Sequence, residues 1–160
     1  MDLQILIGLL LTVLPIFELR GGLPVIVEYV TRNGLNIWPY FILVLILNIA
    51  VIFLIFLFLD FLHESFMNIR FYRKFMNFYL EKIRRKSEKV SENTKSMGFL
   101  ALILFVCIPL PGTGAWTGTL VAWFLGLERW KSIVAIACGV IIAGLIVLSA
   151  SLGILNGFFY

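Results

Sequence analysis

Charged residues are scarce in this chain. Only 14% of its 160 residues are Asp, Glu, Lys or Arg, whereas 61% are hydrophobic and the mean hydropathy is +1.03. An average soluble domain carries about 25% charged residues. The composition therefore excludes an ordinary soluble globular domain and predicts an integral membrane protein with a single domain.

The residue types of metal sites and of catalysis are also few. The two cysteines, Cys107 and Cys138, form no Cys-x-x-Cys or Cys/His spacing, and the one histidine is His63. The sequence contains no phosphate-binding glycine loop, no dinucleotide fingerprint and no Ser/His/Asp arrangement. We therefore expect no metal, no cofactor and no enzymatic activity.

Positive charge is concentrated in one segment. Nine of the 13 Lys and Arg residues lie between Arg70 and Lys95, with long apolar runs on both sides. Basic residues between membrane segments mark the cytoplasmic side, so we expect residues 63–97 to form a cytoplasmic loop of a multi-pass cell-membrane protein, and we expect no nucleic-acid partner. Apolar residues of this loop at spacings of three and four predict an amphipathic helix that contacts membrane lipids; a solvated connector is the alternative. They are Ile69, Tyr72, Met76, Tyr79 and Ile83.

Two apolar runs can cross a membrane without interruption, residues 37–62 and 132–156. A membrane-spanning helix needs about 20 apolar residues, and both runs exceed that length. These runs are predicted to be transmembrane helices.

Two further apolar segments, residues 3–31 and 98–127, are interrupted by PIFELRGGLP and PLPGTGAWTG. Each arm beside an interruption has about 9 to 15 residues and reaches only the middle of the bilayer. We therefore predict two re-entrant helical hairpins. Their turns are expected where glycine permits positive φ, and a proline is expected to begin the first return helix. The residues concerned are Gly21, Gly22, Pro24, Gly112, Thr113 and Gly114.

The segment order predicts an inverted repeat in an all-α membrane domain. Residues 1–62 form the first hairpin-plus-span unit, residues 63–97 the basic loop and residues 98–160 the second unit. A hairpin returns to the side it entered and a span does not, so the two units have opposite orientations, as in many transporters. This topology also places Arg129 and Lys131 on the cytoplasmic side.

Glu18 and Arg20 are the sharpest functional signal, because charges in the bilayer centre are costly and are usually paired, hydrated or functional. In the functional interpretation, Arg20 binds an anionic head group and Glu18 takes up and releases a proton. In the structural interpretation, the two side chains form a salt bridge that holds the hairpin tip together. Neither interpretation excludes the other.

Other residues near the predicted tips complete the candidate site. Asn48, in the middle of the first span, is expected to hydrogen-bond to a hairpin tip. Trp116 could stack on a substrate, although packing is the favoured role. Ala135, Gly139 and Ala143 form a small-residue face that predicts close packing onto a hairpin or between subunits of a homo-oligomer. The remaining candidates, at the second tip, are Pro109, Pro111, Gly112, Thr113 and Gly114.

The strings PIFELRGGLPV and IPLPGTGAWTGTLVAWFLGL, each followed by a span and separated by a basic loop, resemble the small multidrug export family, which itself resembles the broader DedA (VTT-domain) superfamily. The resemblance covers essentially the whole chain. It implies two hairpins that meet in mid-membrane and, from the DedA relatives, proton-dependent transport of polyprenyl phosphates or scrambling of phospholipids. By this match Glu18 and Arg20 take the functional positions of the first hairpin. The arginines that DedA proteins carry beside the prolines of the second hairpin are missing from residues 107–111.

Three functions are expected, in this order. The first is a transporter or flippase of an anionic lipid head group, with a polyprenyl phosphate or phospholipid as substrate, Glu18 as proton carrier and Arg20 as phosphate ligand. The second is a proton-coupled exporter of lipophilic cations, in which substrate and proton compete for Glu18 while Arg20 keeps it ionised. The third is a membrane scaffold that transports nothing and uses the basic loop to bind lipid or a partner.

Overall fold

The computed structural model describes the backbone of residues 3–66, 92–110 and 112–158, and these ranges contain six helices and no strand. All five residues on which the amphipathic helix is predicted, Ile69 to Ile83, lie outside the described residues, as does Pro111. The helices are α1 (Leu3–Val13), α2 (Glu18–Arg32), α3 (Trp38–Phe66), α4 (Glu92–Cys107), α5 (Ala115–Phe124) and α6 (Arg129–Phe158). The prediction of an all-α chain is confirmed over these ranges.

The two long helices, α3 and α6, have the length and composition of membrane spans. Trp38–His63 and Arg129–Ile154 are 26 residues each, and the most apolar 18-residue windows within them have mean hydropathies of 3.4 and 2.8. Only 39% and 44% of their most apolar windows are buried, so much of their apolar surface faces outward. A soluble protein would bury such a surface, whereas lipid solvates it.

The first short pair, α1 and α2, turns at residues 14–17. Pro15 lacks an N–H and disfavours helical geometry in the preceding residue, which accounts for the end of α1 at Val13. Helix α2 begins at Glu18, the only described non-glycine residue with positive φ (48°). The turn predicted at the glycines is therefore wrong by several residues.

Gly22 and Pro24 accordingly have other roles than those predicted. Both lie inside α2, and Pro24 does not begin it. A Cβ atom at Gly22 would collide with the Gly8 carbonyl and the Thr12 side chain of α1. Gly22 thus permits close helix packing instead of a turn.

The second short pair, α4 and α5, is joined by residues 108–114. Gly112 has the predicted positive φ (86°), and Gly114 is extended at the N-terminus of α5 (φ −157°). Helix α5 begins at Ala115, directly after this turn.

The small-residue face of α6 packs within the chain. Ala135 and Ala143 are buried, and a Cβ at Gly139 would lie 2.7 Å from Cβ of Val106 in α4. Of the two predicted uses of this face, the described residues show packing onto the second short pair.

The cytoplasmic-side end predicted for α3 lies beside the start of α6. Asp60 of α3 pairs with Arg129 of α6, with 2.7 Å between Oδ2 and Nη1. The Trp123 indole of α5 donates to the other Asp60 oxygen at 3.3 Å. The end of α5 and the start of α6 therefore lie beside the C-terminal part of α3.

Candidate functional site

Four helix ends meet in the interior of the molecule: the C-termini of α1 and α4 and the N-termini of α2 and α5. The last carbonyls and first N–H groups of a helix have no partner within that helix, and leaving them unpaired in an apolar interior is costly. The polar side chains of the candidate site satisfy these groups.

Arg20 binds the C-terminal end of α4. Its guanidinium donates to the carbonyl oxygens of Val106 at 3.2 Å and Ile108 at 2.9 Å, and also to those of Leu110 and Thr113. A cation is favourable at a helix C-terminus because the exposed carbonyls carry partial negative charge. The four carbonyls occupy much of the hydrogen-bonding capacity of this side chain, which has five N–H donors.

Glu18 binds the N-terminal end of α5. It is only 6% exposed, and its Oε1 accepts the backbone N–H of Trp116 at 3.0 Å. The anion is favourable there because the free N–H groups carry partial positive charge. No ion pair of Glu18 is found among the described residues, so the predicted salt bridge between Glu18 and Arg20 is not what holds the tip.

Two side chains satisfy the C-terminal end of α1. Asn48 Nδ2 donates to the Thr12 carbonyl at 3.1 Å, and the Trp116 indole donates to the Val13 carbonyl at 3.1 Å. The hydrogen bond expected from Asn48 is thus made to the end of α1, beside the first turn. Trp116 is thus anchored at both its backbone and its side chain.

A small polar cavity lies between these groups. The space open to the centre of a water-sized sphere is about 10 Å³, and Glu18, Arg20 and Asn48 line it together with Val140 and Ala143 of α6. A volume of about 10–15 Å³ by this measure holds one water molecule when two to four polar partners are present. Asn48 and Ala143 lie near the midpoints of α3 and α6, so the cavity sits halfway along both long helices.

The structure brings together half of the predicted site. The group around the cavity is Glu18, Arg20, Asn48, Thr113, Gly114 and Trp116. The other predicted residues that the structure describes lie elsewhere. Gly22 faces α1, a Cβ at Gly21 would meet Phe17 in the turn before α2, and Gly112 is exposed. Pro24 and Pro109 line a separate groove with Glu28 and α6.

Sequence reasoning missed several polar contacts of this region. Thr12 is fully buried, and its hydroxyl donates to the Gly8 carbonyl at 2.9 Å. Asp60 joins α3 to both Trp123 and Arg129. Two sequence signals pointed to these contacts. One is Thr12, close to the interruption that begins at Pro15, and the other is the pair of opposite charges at the ends of two spans, Asp60 and Arg129.

Two apolar grooves lie on either side of the cavity along α3 and α6. One, of about 840 Å³, is formed by α3 residues 51–61 with Val13 and Trp116. The other, of about 390 Å³, is formed by Pro24, Glu28, Pro109 and α6 residues 146–154. In the part of the chain that the structure describes, no cluster of three or more His, Cys, Asp or Glu side chains could hold a metal ion.

The profile of a family described as "Putative small multi-drug export protein" matches residues 18–146. The chain belongs to this family. The matched range begins at Glu18, the first residue of α2, and ends within α6. It therefore contains Arg20, all of α2 to α5 and most of α6, and leaves out α1. It does not extend to DedA proteins, and that relationship stays a prediction. No curated protein and no solved structure shows significant similarity to the chain.

Proposed function

We propose that this member of the small multidrug export family is a proton-coupled membrane exporter of lipophilic cations. One observation carries the proposal: Glu18 is a buried carboxylate without an ion-pair partner among the described residues, held at the start of α5 and beside a polar cavity. A single buried carboxylate can accept either a proton or a cation, and each excludes the other. Competition of this kind couples export to the proton gradient.

The arrangement of the two short pairs supports a re-entrant topology. Glu18 and the cavity lie level with the midpoints of α3 and α6, and the Asp60–Arg129 pair joins the end of α3 to the start of α6. Both features are expected if each short pair enters the membrane, turns near its middle and returns to the same side. Irregular backbone at that depth is tolerated where it lines a cavity, and Gly114, at the end of the second turn, lines the cavity beside Glu18. The order short, short, long occurs twice, as an inverted repeat requires.

The role of Glu18 in coupling follows from its position on the α5 N-terminus. A charge at a helix end contributes about 0.3–1 kcal/mol, and up to about 2 kcal/mol when partly buried. Protonation removes this contribution because the carboxylate becomes neutral. A bound cation reduces it because the carboxylate then interacts with the cation as well as with the helix end. Either event weakens the hold of α2 on α5, so occupancy of Glu18 biases the position of α5 relative to α2.

Transport of an anionic lipid head group, the first expectation from the sequence, is less well supported. A phosphate bound to Arg20 would have to displace backbone carbonyls that the guanidinium now satisfies. Within a membrane, a carbonyl that loses its hydrogen-bond partner costs several kcal/mol because no water replaces that partner. Arg20 is better suited to holding the end of α4 in place, and its charge near Glu18 keeps the carboxylate available for a cation.

Flux in proteoliposomes tests the proposal. The purified chain is reconstituted with an imposed pH gradient, and movement of tetraphenylphosphonium is compared with movement of a fluorescent polyprenyl phosphate. We expect gradient-driven flux of the cation that Glu18→Gln abolishes. Movement of the lipid phosphate without cation flux would overturn the proposal in favour of a flippase. Absence of both, with a cellular phenotype that depends only on the basic loop, would favour the scaffold.

A further inference from the structure

The larger of the two grooves has the size and character of a binding site for a hydrophobic molecule. Its volume of about 840 Å³ lies within the range of about 300–1,000 Å³ typical of sites for drug-sized ligands. Aromatic side chains from α3, Phe58 and Phe61, line it together with the indole of Trp116. Its floor is rigid, because Val51 and Ile55 belong to a buried cluster against which Val13 and Trp116 pack.

Trp116 connects this groove to Glu18. Its side chain lines the groove, while its backbone N–H is bonded to the Glu18 carboxylate. The indole N–H is bonded to the Val13 carbonyl, which fixes the position of the ring. A molecule in the groove therefore contacts the residue that contacts Glu18.

Charge distinguishes this groove from a simple lipid-facing depression. Trp116, which lines the groove, is bonded to a buried carboxylate that forms no salt bridge within the described ranges. The nearby Arg20 guanidinium is instead bonded to carbonyls at the end of α4. A cation is attracted both to that carboxylate and to the face of a tryptophan ring. An acyl chain would fill the same space without using either feature.

We infer that the groove formed by α3 residues 51–61, Val13 and Trp116 binds the hydrophobic body of a monovalent organic cation, with the charged end against Trp116. Trp116 is the substrate-contacting residue, and the α3 side chains Leu54, Phe58 and Phe61 set the size and shape that are accepted. This inference rests on the proposed function and adds to it the location of the substrate.

A pair of tryptophan substitutions on the exposed surface of α3 tests the inference. Leu54 lines the groove and is 60% exposed, whereas Ile46 lies on the same helix outside the groove and is 57% exposed. Leu54→Trp fills the groove, and Ile46→Trp adds the same bulk elsewhere. The full chain is placed in nanodiscs, and binding of tetraphenylphosphonium is measured by equilibrium dialysis. Binding of tetraphenylborate, an anion of the same shape, is measured in the same way for comparison.

We expect Leu54→Trp to weaken tetraphenylphosphonium binding by roughly tenfold or more, because overfilling a hydrophobic pocket commonly changes affinity by that factor. Ile46→Trp should leave binding within about twofold, as expected for a substitution that touches no ligand. The parent chain should bind tetraphenylborate far more weakly. A photoreactive aryl phosphonium should label Trp116 or the groove aromatics, and Trp116→Phe should lower the preference for cation over anion.

The possible failures are distinguishable. If Glu18→Gln abolishes cation binding while Leu54→Trp and Ile46→Trp both bind normally, the groove assignment is wrong and the proposed function stands. If Leu54→Trp weakens the cation and the anion equally, the groove takes hydrocarbon without selecting charge, as a lipid chain would, and the inference is overturned. If the parent chain binds no lipophilic cation, or binds both ions equally, the proposed function fails together with the inference.

Discussion

At the residue scale, Glu18 and Arg20 act on different helices although only one residue separates them. Arg20 lies at the carbonyl end of α4 and Glu18 at the N–H end of α5. Each charge therefore matches the sign of the helix end it meets. The positive φ of Glu18 is part of this arrangement, because such a backbone conformation is costly for a non-glycine residue and usually marks a functional or tightly constrained position.

Gly114→Ala should displace the Glu18 carboxylate. The backbone of Gly114 is extended (φ −157°), a conformation that alanine adopts easily, so the effect comes from the added Cβ. That atom would collide with Glu18 Oε2. We expect a lower melting temperature in detergent and loss of cation flux.

The control for this variant is Gly98→Ala, because a Cβ at Gly98 meets nothing within 4 Å. Its melting temperature should be equal to or above that of the parent, since alanine favours helix. In a Glu18→Ala background, Gly114→Ala should cost little. An equal cost in both backgrounds would show that the two residues are uncoupled.

Arg20→Lys should destabilise the chain although it keeps the charge. A lysine ammonium has three donors and no planar fork, so it cannot serve carbonyls that the guanidinium reaches together. We expect a loss of at least about 2 kcal/mol in the free energy of unfolding, the size of a hydrogen bond to a charged group. Denaturant unfolding in detergent measures it.

Arg32→Lys is the matched control, because Arg32 forms an exposed ion pair with Glu28. Such pairs contribute about 0–1 kcal/mol. If Arg20→Lys unfolds like the parent but loses substrate binding, Arg20 is a substrate ligand and the helix-end role assigned to it is wrong.

At the element scale, the short helices are stabilised by close helix–helix packing and by hydrogen bonds that other helices make to their ends. Helix α1 reaches α2 where Gly8 and Gly22 face each other, and its terminal carbonyls are bonded to Asn48 and Trp116 from other helices. Helices of 10–16 residues are marginal alone in water, and in a membrane they also need partners for their ends. Each pair is therefore held by contacts with the rest of the chain.

Gly22→Ala should separate α1 from α2. The added Cβ would lie 2.8 Å from the Thr12 amide nitrogen and still closer to the Gly8 carbonyl, and backbone atoms cannot rotate away as a side chain can. Overpacking of this kind costs about 1–3 kcal/mol. Gly153→Ala in α6, where nothing lies within 4 Å, is the helical control, and its melting temperature should stay at or above that of the parent. Equal melting temperatures of the two variants would contradict the close packing.

At the scale of the whole molecule, the two long helices pack against the short helices, whose ends form the polar centre. The large outward-facing side chains of the long helices, such as Leu57 at 64% exposure and Val134 at 60%, suit a hydrocarbon environment. Among the buried polar residues, Asn48 lies with Glu18 at the cavity, whereas Thr119 and Ser132 donate to carbonyls one turn earlier in the chain. No buried side-chain nitrogen or oxygen of the described residues lacks a partner. The polar groups are satisfied inside, as a membrane requires.

Cysteine accessibility in intact cells should reveal the re-entrant topology. In a background without Cys107 and Cys138, single cysteines are introduced at Gln4, Asn36 and Glu128. If both short pairs turn back in mid-membrane, positions 4 and 36 react with an impermeant maleimide from outside and position 128 reacts only after permeabilisation. Four full crossings would reverse the results at positions 4 and 128 while leaving position 36 unchanged.

Much of the architecture was predictable from local composition. Uninterrupted apolar runs predict α3 and α6 because length and hydropathy alone decide whether a helix suits a bilayer. The interruptions also predicted four short helices, and Gly112 was placed correctly in the second turn. The first turn was misplaced because Gly21 and Gly22 suggest backbone freedom, whereas Pro15 and the packing of Gly22 against Gly8 decide the outcome.

By itself, the sequence determined that the chain has two membrane-length helices and four shorter ones, and that one acid and one base lie at a break in its first apolar segment. Each of these features depends only on residues that are close together in the sequence. Only the tertiary structure decided which groups that acid and base bind. Arg20 and Glu18 meet partners 90 and 98 residues away, and those partners are backbone groups at helix ends, which every residue type carries. No residue pattern marks such a partner, because a backbone carbonyl or N–H becomes available only where a helix stops and another element arrives.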